Sequence, residues 1–229
     1  MNLAALFSGG KDSTYSIYKA RQMGHEVSCL VTIMPHSPES HLLHHPNIRH
    51  TSLQAESMGI PQIVSTADSE NTGDELEVLR ALLTEAKAKY GIRGIVHGGI
   101  LSEFQKGRFE SLANDLGLQV VAPLWKMDQR QYMHDLLNSG FEFVISSVSC
   151  DGLDESWLGK KITNDDLEKL ESLSEKYKFN LSFEGGEAET FVTNCPLFKK
   201  LIEISESTRL WDGCRGTIEI LQAGIMDQC

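Results

Sequence analysis

A short stretch near the start of the chain, with the sequence SGGKDS, combines residue types that bind phosphate. Gly9 and Gly10 allow a backbone turn to come close to a ligand because they carry no Cβ. An apolar run precedes them and a helix-like segment follows. The first N–H groups of that helix would point into the turn, with the positive end of the helix dipole behind them. Lys11 adds a full positive charge, and Ser8 and Ser13 add hydroxyl donors. This stretch predicts a site for a phosphate chain.

The spacing excludes a Walker A loop, which needs four residues between its first glycine and its Gly-Lys-Ser/Thr end. The stretch instead resembles the PP-loop of the N-type ATP pyrophosphatases, whose motif is SGGxDS. That resemblance implies a Rossmann-like sheet of the adenine nucleotide alpha hydrolase-like (HUP-type) class. It also implies cleavage of ATP between its α and β phosphates. The alternative is a glycine turn before a helix, with incidental polar residues.

Apolar runs and helical repeats predict the elements that would position this turn. Strand, helix and strand within residues 1–34 indicate a right-handed βαβ unit. Further strands up to residue 121 complete a five-stranded parallel sheet in an α/β fold. Ligands bind beyond the carboxyl ends of such strands. Ile33 and Met34 are therefore expected either to border the adenine or to be part of the core.

A second glycine turn follows the fourth predicted strand. Gly98 and Gly99 would bring another backbone loop to the same edge of the sheet, and Ser102 follows them. Gln105 and Arg108 are three residues apart in a predicted helix, so they share a face. Arg108 could clamp a carboxylate or phosphate; the alternative is a surface arginine.

The polar segment 35–50 contains five histidines, which are His36, His41, His44, His45 and His50. A metal site is one interpretation, but no His-Glu-x-x-His context or repeated carboxylate spacing supports it. We therefore expect a loop over the ligand, from which His44 or Asn47 could touch substrate.

The composition limits the classes of partner. The chain has 229 residues and a net charge of −11, which argues against a nucleic-acid partner because such proteins usually carry a basic field. No apolar run could span a bilayer and no leader is visible, so we expect a cytoplasmic protein without a membrane partner. The five cysteines form no Cys-x-x-Cys pair, which argues against a zinc ribbon or a disulfide framework. A homodimer is an allowed assembly.

The chain changes character after Leu124. Helical segments and alternating strands with one wet face indicate a smaller α+β domain. We therefore predict a nucleotide-binding domain at 1–124 and a substrate-binding domain at 125–229.

Two stretches of the second half have unusual chemistry. The sequence EGGEAET places three carboxylates around two glycines; such carboxylates could bind a cation, orient ammonia or take a proton from it. Asp154 and Trp157 lie close together in the stretch GLDESWLGK, and a ring face with a carboxylate can bind a quaternary ammonium. Solvated loops are the alternative for both stretches.

Five motifs, in order across nearly the whole chain, carry a more specific resemblance. They are SGGKDS, GGILSEFQKGRFE, GLDESWLGK, EGGEAETF and CPLFKK. Together they resemble the diphthine–ammonia ligase (diphthamide synthase) family of the PP-loop superfamily. Phe104 and Ala188 depart from that pattern, which usually has a tyrosine at the first position and a large residue at the second.

The resemblance implies that ATP adenylates the carboxylate of diphthine, a modified histidine on translation elongation factor 2. Ammonium then supplies the nitrogen of the amide, and AMP and pyrophosphate leave. Asp12 would hold Mg²⁺, Lys11 would neutralise the departing pyrophosphate, and Glu184 and Glu187 would bind or deprotonate ammonium. The residues implied for ATP are Ser8, Gly9, Gly10, Lys11, Asp12, Ser13, Ile33, Met34, Gly98 and Gly99. Those implied for the substrate are Ser102, Gln105, Arg108, Asp154, Trp157, Gly185, Gly186 and Thr190.

Three alternative functions remain open on the residues alone. The first is an ATP pyrophosphatase that modifies tRNA, although the acidic charge and the lack of paired cysteines argue against it. The second is amidation of a small molecule by the same chemistry. The third is an ATP-binding module without catalysis, which would have little use for Lys11 next to Asp12.

Overall fold

A parallel sheet organises the first half of the fold in the computed structural model, which describes residues 1–34, 47–67 and 72–227. Its strands lie in the order β3-β2-β1-β4-β5, and each neighbouring pair is parallel. The bounds are β1 Asn2–Leu6, β2 Glu26–Met34, β3 Gln62–Thr66, β4 Gly94–Val96 and β5 Gln119–Val121. The strand order reverses between β1 and β4, and doubly wound sheets bind their ligands at that point.

Helices cover both faces of this sheet because β1 is apolar on both sides. Leu3 and Ala5 belong to one buried cluster together with Ile17 of the first helix. Ala4 belongs to a second cluster together with Leu83 of the third helix. Such a near-continuous apolar run is typical of a strand buried on both faces. The described helices of this half are α1 Lys11–Gln22, α2 Thr51–Met58, α3 Thr72–Tyr90 and α4 Glu103–Asp115.

The second half is built around an antiparallel sheet in the order β7-β6-β9-β8. Its strands are β6 Glu142–Val148, β7 Ala188–Asn194, β8 Leu201–Trp211 and β9 Gly216–Met226. The same half contains the helices α5 Gln129–Asn138 and α6 Asn164–Tyr177. The α/β class with a second α+β unit is thus confirmed.

The two halves share one hydrophobic core. Phe7 at the end of β1, Leu124, Phe143 on β6 and Phe191 on β7 all belong to the same buried cluster. Burial of this common cluster fixes the edge of the first sheet against the second sheet. The boundary after Leu124 stays a prediction, because the core runs continuously across it.

The structure departs from the sequence-based elements at informative places. The fourth strand ends at Val96, and the glycines that follow it form a turn, as expected. The region after Gly186 forms the strand β7, which the acidic sequence did not predict. The last two strands are longer than their apolar alternation suggested, because they pair with each other as a hairpin over most of their length. His36, His41, His44 and His45 lie outside the described residues. Within the described ranges, no helix is long and apolar enough to cross a membrane.

The start of α6 provides a test of the second half. Thr163 Oγ1 accepts from the backbone N–H of Asp166 at 3.3 Å, and Asp166 Oδ2 accepts from the backbone N–H of Thr163 at 3.3 Å. Thr163→Ala should lower the free energy of unfolding in urea by about 1 kcal/mol, because this reciprocal cap is lost. Ser172→Ala on the same helix should change it by less than about 0.5 kcal/mol. Equal effects of the two substitutions would show that the cap contributes nothing.

Candidate active site

A cavity of about 570 Å³ lies at the carboxyl ends of β1 and β4, against the second sheet. Its size is typical of a small-molecule site. The loops after β1 and β4 form one side, and residues of β6, of β7 and of the loop before β7 form the other. The predicted site residues that line it are Ser8, Gly10, Lys11, Asp12, Ser13, Ile33, Gly98, Gly99, Ser102, Gln105, Glu184, Gly185, Gly186 and Thr190.

The turn after β1 is held by groups from two other places in the chain, the helix α2 and the strand β7. Gly9 has a φ of +81°, which favours glycine, and a Cβ there would lie 2.4 Å from Gln54 Oε1. Gln54 Nε2 donates to the carbonyl oxygens of Gly9 at 2.9 Å and Val192 at 2.8 Å. The backbone N–H of Lys11 donates to Thr190 Oγ1 at 3.0 Å. A glycine turn and the strand β7 are thus fixed to each other by buried hydrogen bonds.

The two glycine turns meet without space for a side chain between them. A Cβ on Gly98 would lie 2.4 Å from the backbone carbon of Asp12 and 2.7 Å from the backbone nitrogen of Ser13. Only glycine allows the backbones of the two loops to approach so closely. The prediction that both turns reach the same edge of the sheet is therefore confirmed.

A buried ion pair lies beneath the first turn. The Lys11 side chain is 2% exposed, and its Nζ donates to Asp12 Oδ1 at 2.9 Å, Asp12 Oδ2 at 3.0 Å and the Ser182 carbonyl oxygen at 2.6 Å. The Tyr132 hydroxyl donates to Asp12 Oδ1 at 2.5 Å. An ammonium has three donors, and these contacts engage all of them. The Asp12 side chain is 30% exposed and faces the cavity.

Tyr132 contributes to this pair as a neutral donor. Burial of Tyr132, together with the charge of Asp12, raises the pKa of its hydroxyl well above the ordinary value. The phenol therefore keeps its proton and can donate it to the carboxylate.

Glu184 fixes the second turn from the other half of the protein. Its Oε1 accepts from the backbone N–H groups of Ile100, Leu101 and Ser102 at 3.0, 3.1 and 3.2 Å. Burial and the nearby Asp12 raise the pKa of the Glu184 carboxyl, although those three hydrogen bonds lower it. Glu184 thus connects the loop before β7 to the start of α4 and adds a carboxylate to the cavity wall.

Glu187 lies behind the glycine turn rather than on the cavity wall. Its Oε1 accepts from the backbone N–H of Asn180 at 2.9 Å and from Asn180 Nδ2 at 2.6 Å, and its Oε2 accepts from the N–H of Gly185 at 2.8 Å. Both carboxylate oxygens are thus engaged in closing the loop 180–187. The structure gives Glu187 a loop-closing position, whereas the sequence analysis expected it to face the reacting groups.

The other predicted residues lie outside the lining. Met34 and Gly9 are next to the cavity in sequence but do not line it. Arg108 is half-buried, and its guanidinium lies 4.1 Å from the centroid of the ring of Phe104, which lines the cavity. Trp157 is 7% exposed and belongs to the hydrophobic core. Asp154 caps the short turn at Ser156, accepting from its backbone N–H at 2.9 Å. The structure therefore does not bring the expected Asp154–Trp157 pair to this cavity.

Sequence reasoning missed several residues that shape the site. Tyr132, Gln54 and Ser182 come from separate segments and meet at the first turn only through the tertiary fold. The available signal for Gln54 and Ser182 was a polar residue between apolar neighbours; Tyr132 gave no such signal. The sequence analysis assigned no role to His97, and the structure places it on the cavity wall. Among the described residues, no group of three or more His, Cys, Asp or Glu side chains forms a metal cluster.

The fold and site define an α/β protein with a PP-loop-like turn at the switch point of its parallel sheet. Family models give the particular family. The model described as "Diphthamide synthase N-terminal domain" matches residues 1–120, and the one described as "Diphthamide synthase C-terminal domain" matches residues 128–226. The chain belongs to the diphthamide synthase family, as its five motifs predicted.

Several relatives are similar over most of this chain. The diphthine–ammonia ligase of Homo sapiens is 36% identical over 226 residues, which cover 90% of this chain and 84% of that protein. The protein of the same name from Mus musculus is 35% identical over 225 residues, with the same coverage. The Schizosaccharomyces pombe protein of that name is 30% identical and longer, so the match covers 90% of this chain but 36% of the relative.

One solved structure is also similar to this chain. It is the crystal structure of a predicted subunit of tRNA methyltransferase from Methanocaldococcus jannaschii. The two chains are 17% identical, with a TM-score of 0.42 and coverage of 86% of this chain and 98% of that one.

The contact between the two glycine turns gives a paired prediction. Gly98→Ala should lower the free energy of unfolding by about 1–3 kcal/mol, because its Cβ would press on the backbone of Asp12 and force the loops apart. Gly107→Ala on α4 adds a Cβ with no atom within 4 Å, so it should raise that free energy by about 0.5–1 kcal/mol. Urea denaturation of both variants measures the difference. A Gly98→Ala protein as stable as the Gly107→Ala protein would contradict this account of the turns.

Proposed function

We propose that this protein is an ATP-dependent ligase that converts the carboxylate of diphthine, on an acceptor protein, into the amide of diphthamide. Membership of the family and the names of the relatives support the reaction. The observation that carries the proposal is the approach of the first glycine turn to the second at the edge of the parallel sheet. That arrangement provides backbone donors, a carboxylate and an ammonium around one cavity.

In the first step, an oxygen of the diphthine carboxylate would attack the α-phosphorus of ATP. The bond between that phosphorus and the oxygen bridging to the β-phosphate breaks, and pyrophosphate leaves with the electron pair. The turn that contains Ser8, Gly10 and Ser13 is proposed to hold the triphosphate. Lys11 can donate to a phosphate oxygen only if it gives up one of its three hydrogen bonds. The hydrogen bond to Asp12 is the one proposed to be exchanged, because Asp12 also lines the cavity. Its charge would oppose the negative charge that develops on pyrophosphate.

Asp12 fits the role of a magnesium ligand. Its carboxylate is partly exposed in the cavity, and its Oδ2 accepts one described hydrogen bond, from Lys11. A carboxylate oxygen has two lone pairs, so Oδ2 retains an acceptor position for a hard cation. When bound, Mg²⁺ would supply Lewis-acid chemistry by reducing the negative charge of the phosphates.

In the second step, ammonia would attack the acyl carbon of the adenylate, and the bond from that carbon to the AMP oxygen would break. Glu184 lines the cavity, and its Oε1 is occupied by three backbone donors. We propose that Oε2 binds ammonium and accepts the proton it loses. Glu187 is proposed to act on this step by closing the loop that carries Glu184.

The acceptor is proposed to be translation elongation factor 2 carrying diphthine, with ammonium as the nitrogen donor and the cytoplasm as the compartment. We retain the division into a nucleotide-binding domain at 1–124 and a substrate-binding domain at 125–229. Ser102, Gln105, Gly185, Gly186 and Thr190 line the cavity and are proposed to contact the acyl group.

The full chain should release AMP and pyrophosphate when it is incubated with ATP, Mg²⁺, ammonium and diphthine-bearing elongation factor 2. The modified histidine should acquire the mass of the amide. Chromatography of the nucleotides and mass spectrometry of the acceptor peptide measure both products. Formation of ADP in place of AMP would contradict adenylation. AMP formed without amidation of this acceptor would leave the chemistry intact and overturn the acceptor.

Asp12→Asn should reduce the rate of AMP formation by about 100-fold or more, because the variant loses the charge that holds the metal and orients Lys11. Asp115→Asn is a matched control, since Asp115 is an exposed carboxylate paired with Arg80 at 2.8 Å. It should leave the rate within about twofold of wild type, as surface ion pairs contribute little. Retention of activity by Asp12→Asn would remove Asp12 from the site.

The two glutamates can be separated by amide substitution. Glu184→Gln keeps an oxygen for the three backbone donors but replaces Oε2, so it should raise the KM for ammonium about tenfold or more, with a smaller change in stability. Glu187→Gln leaves the Gly185 N–H or the Asn180 donors without an acceptor. It should lower the free energy of unfolding by about 1–3 kcal/mol.

Steady-state kinetics at varied ammonium, together with urea denaturation, test both substitutions. If Glu187→Gln raised the KM for ammonium at unchanged stability, Glu187 and not Glu184 would be the ammonium carboxylate.

A further inference from the structure

His97 is a buried histidine to which the reaction above assigns no role. It follows β4 directly and is 2% exposed, yet it lines the cavity together with Gly98 and Gly99. Its Nδ1 accepts from the backbone N–H of Gly99 at 3.1 Å. Its Nε2 is buried and has no hydrogen-bond partner within residues 1–34, 47–67 and 72–227. A buried polar atom without a partner is costly in a folded protein.

The surroundings of His97 define its protonation state. Because Nδ1 accepts a hydrogen bond, the proton of the neutral ring is on Nε2. Burial lowers the pKa of His97 to about 4; Glu110 acts in the opposite direction and Lys106 in the same one. The ring is therefore neutral around pH 7, and Nε2–H is a donor without formal charge.

The cavity that His97 lines has many apolar side chains from the first half of the chain. The His97 ring lies 5.4 Å from the Phe109 ring, centroid to centroid. The other apolar side chains of the lining from the first half are Leu6, Phe7, Val31, Ile33, Ile48, Leu79 and Phe104. An apolar wall with one neutral donor suits a flat heteroaromatic ring better than a phosphate, which would need charged or multiple donors. The ends of β1, β2 and β4 contribute to this wall, at the edge where parallel sheets bind nucleotides.

We propose that His97 is a specificity residue for the purine base, with its Nε2–H donating to a ring nitrogen of adenine. The inference rests on the proposed use of ATP and adds the group that would bind the base. The Nδ1 bond to Gly99 would fix both the tautomer and the ring orientation, in the same turn that packs on Asp12. The base and the triphosphate would thus be positioned by neighbouring residues of a single loop.

Three substitutions separate the donor from the loop contact. His97→Leu removes both. His97→Asn can still accept from Gly99 with its shorter side chain but does not reach the Nε2 position, whereas His97→Gln carries an N–H donor close to that position. His97→Leu and His97→Asn should raise the Kd for ATP about three- to tenfold, the effect of one neutral hydrogen bond. His97→Gln should have a Kd for ATP close to that of the wild-type protein. Calorimetric titration of the full chain with ATP and Mg²⁺ measures these constants.

Inorganic tripolyphosphate distinguishes a contact to the base from a change in the phosphate turn. Its Kd should be the same for wild type and all three variants. If His97→Leu weakened tripolyphosphate and ATP equally, His97 would act through the loop and the proposal would be overturned. His134→Leu is a matched control, because His134 lies on α5 outside the cavity lining, paired with Glu171 at 2.9 Å; it should leave both constants unchanged.

Deaza analogues of ATP test which part of the nucleoside accepts the bond. One of the three analogues 1-deaza-, 3-deaza- and 7-deaza-ATP should bind the wild-type protein more weakly than ATP does. The Kd of that analogue should not change in His97→Leu, because the analogue already lacks the nitrogen that accepts the hydrogen bond. If all three analogues remained as sensitive as ATP, no ring nitrogen would be the acceptor and the assignment to the base would fail. If the wild-type protein did not bind ATP at all, the proposed function would be overturned as well. That result is distinct from the failure of the His97 assignment alone, in which ATP still binds.

Discussion

The structure depends on one buried charge, the Lys11 ammonium at the end of the first glycine turn. Removing an ammonium from water costs several kcal/mol in a real protein, and the Lys11 side chain is 2% exposed. The cost is offset only because every donor has an acceptor: two carboxylate oxygens of Asp12 and the carbonyl oxygen of Ser182. Ser182 belongs to the second half of the chain. The first turn can therefore adopt this arrangement only when the two halves are packed together.

The same dependence appears at three further contacts around the cavity. Thr190 of β7 accepts from the backbone of Lys11, and Glu184 accepts from the backbone after the second turn. Tyr132 of α5 donates to Asp12. In each case a polar group from the second half satisfies a backbone or side-chain group of the first. These bonds are buried or partly buried, where the loss of one partner costs more than the bond itself contributes. The second half of the chain thus helps to hold the glycine turn after β1 in shape.

The sequence predicted what local patterns determine. The apolar run of β1, the glycines after it and the helix that follows have a period and a spacing that need no distant partner. The helix bounds 51–58 and 164–177 agree with the structure for the same reason, since a terminal glycine and a capping threonine mark them locally. Family motifs then indicated which chemistry such a turn performs.

Features that depend on long-range contacts were not accessible to that reasoning. Trp157 and Asp154 suggested a cation site by type, but Trp157 packs into the core because its large apolar surface gains more from burial than from lining a wet cavity. Glu187 has the same local context as Glu184, two glycines and apolar flanks, yet one carboxylate faces the cavity and the other closes a loop. Glu187 accepts from Asn180, seven residues away, whereas Glu184 accepts from the N–H groups at residues 100–102, which are more than 80 residues away in sequence.

The pairing of a buried ion pair with a rigid glycine contact has a consequence for catalysis. Adenylation needs the attacking oxygen and the α-phosphorus within near-attack distance, and small misplacements reduce the rate strongly. Gly98 cannot move towards Asp12, because the two backbones already touch. Glu184 keeps the following residues 100–102 from moving away. The edge of the sheet is therefore fixed from both sides by contacts within the protein. In such a preorganised site, binding energy need not be spent on ordering the loops and remains available to stabilise the transition state.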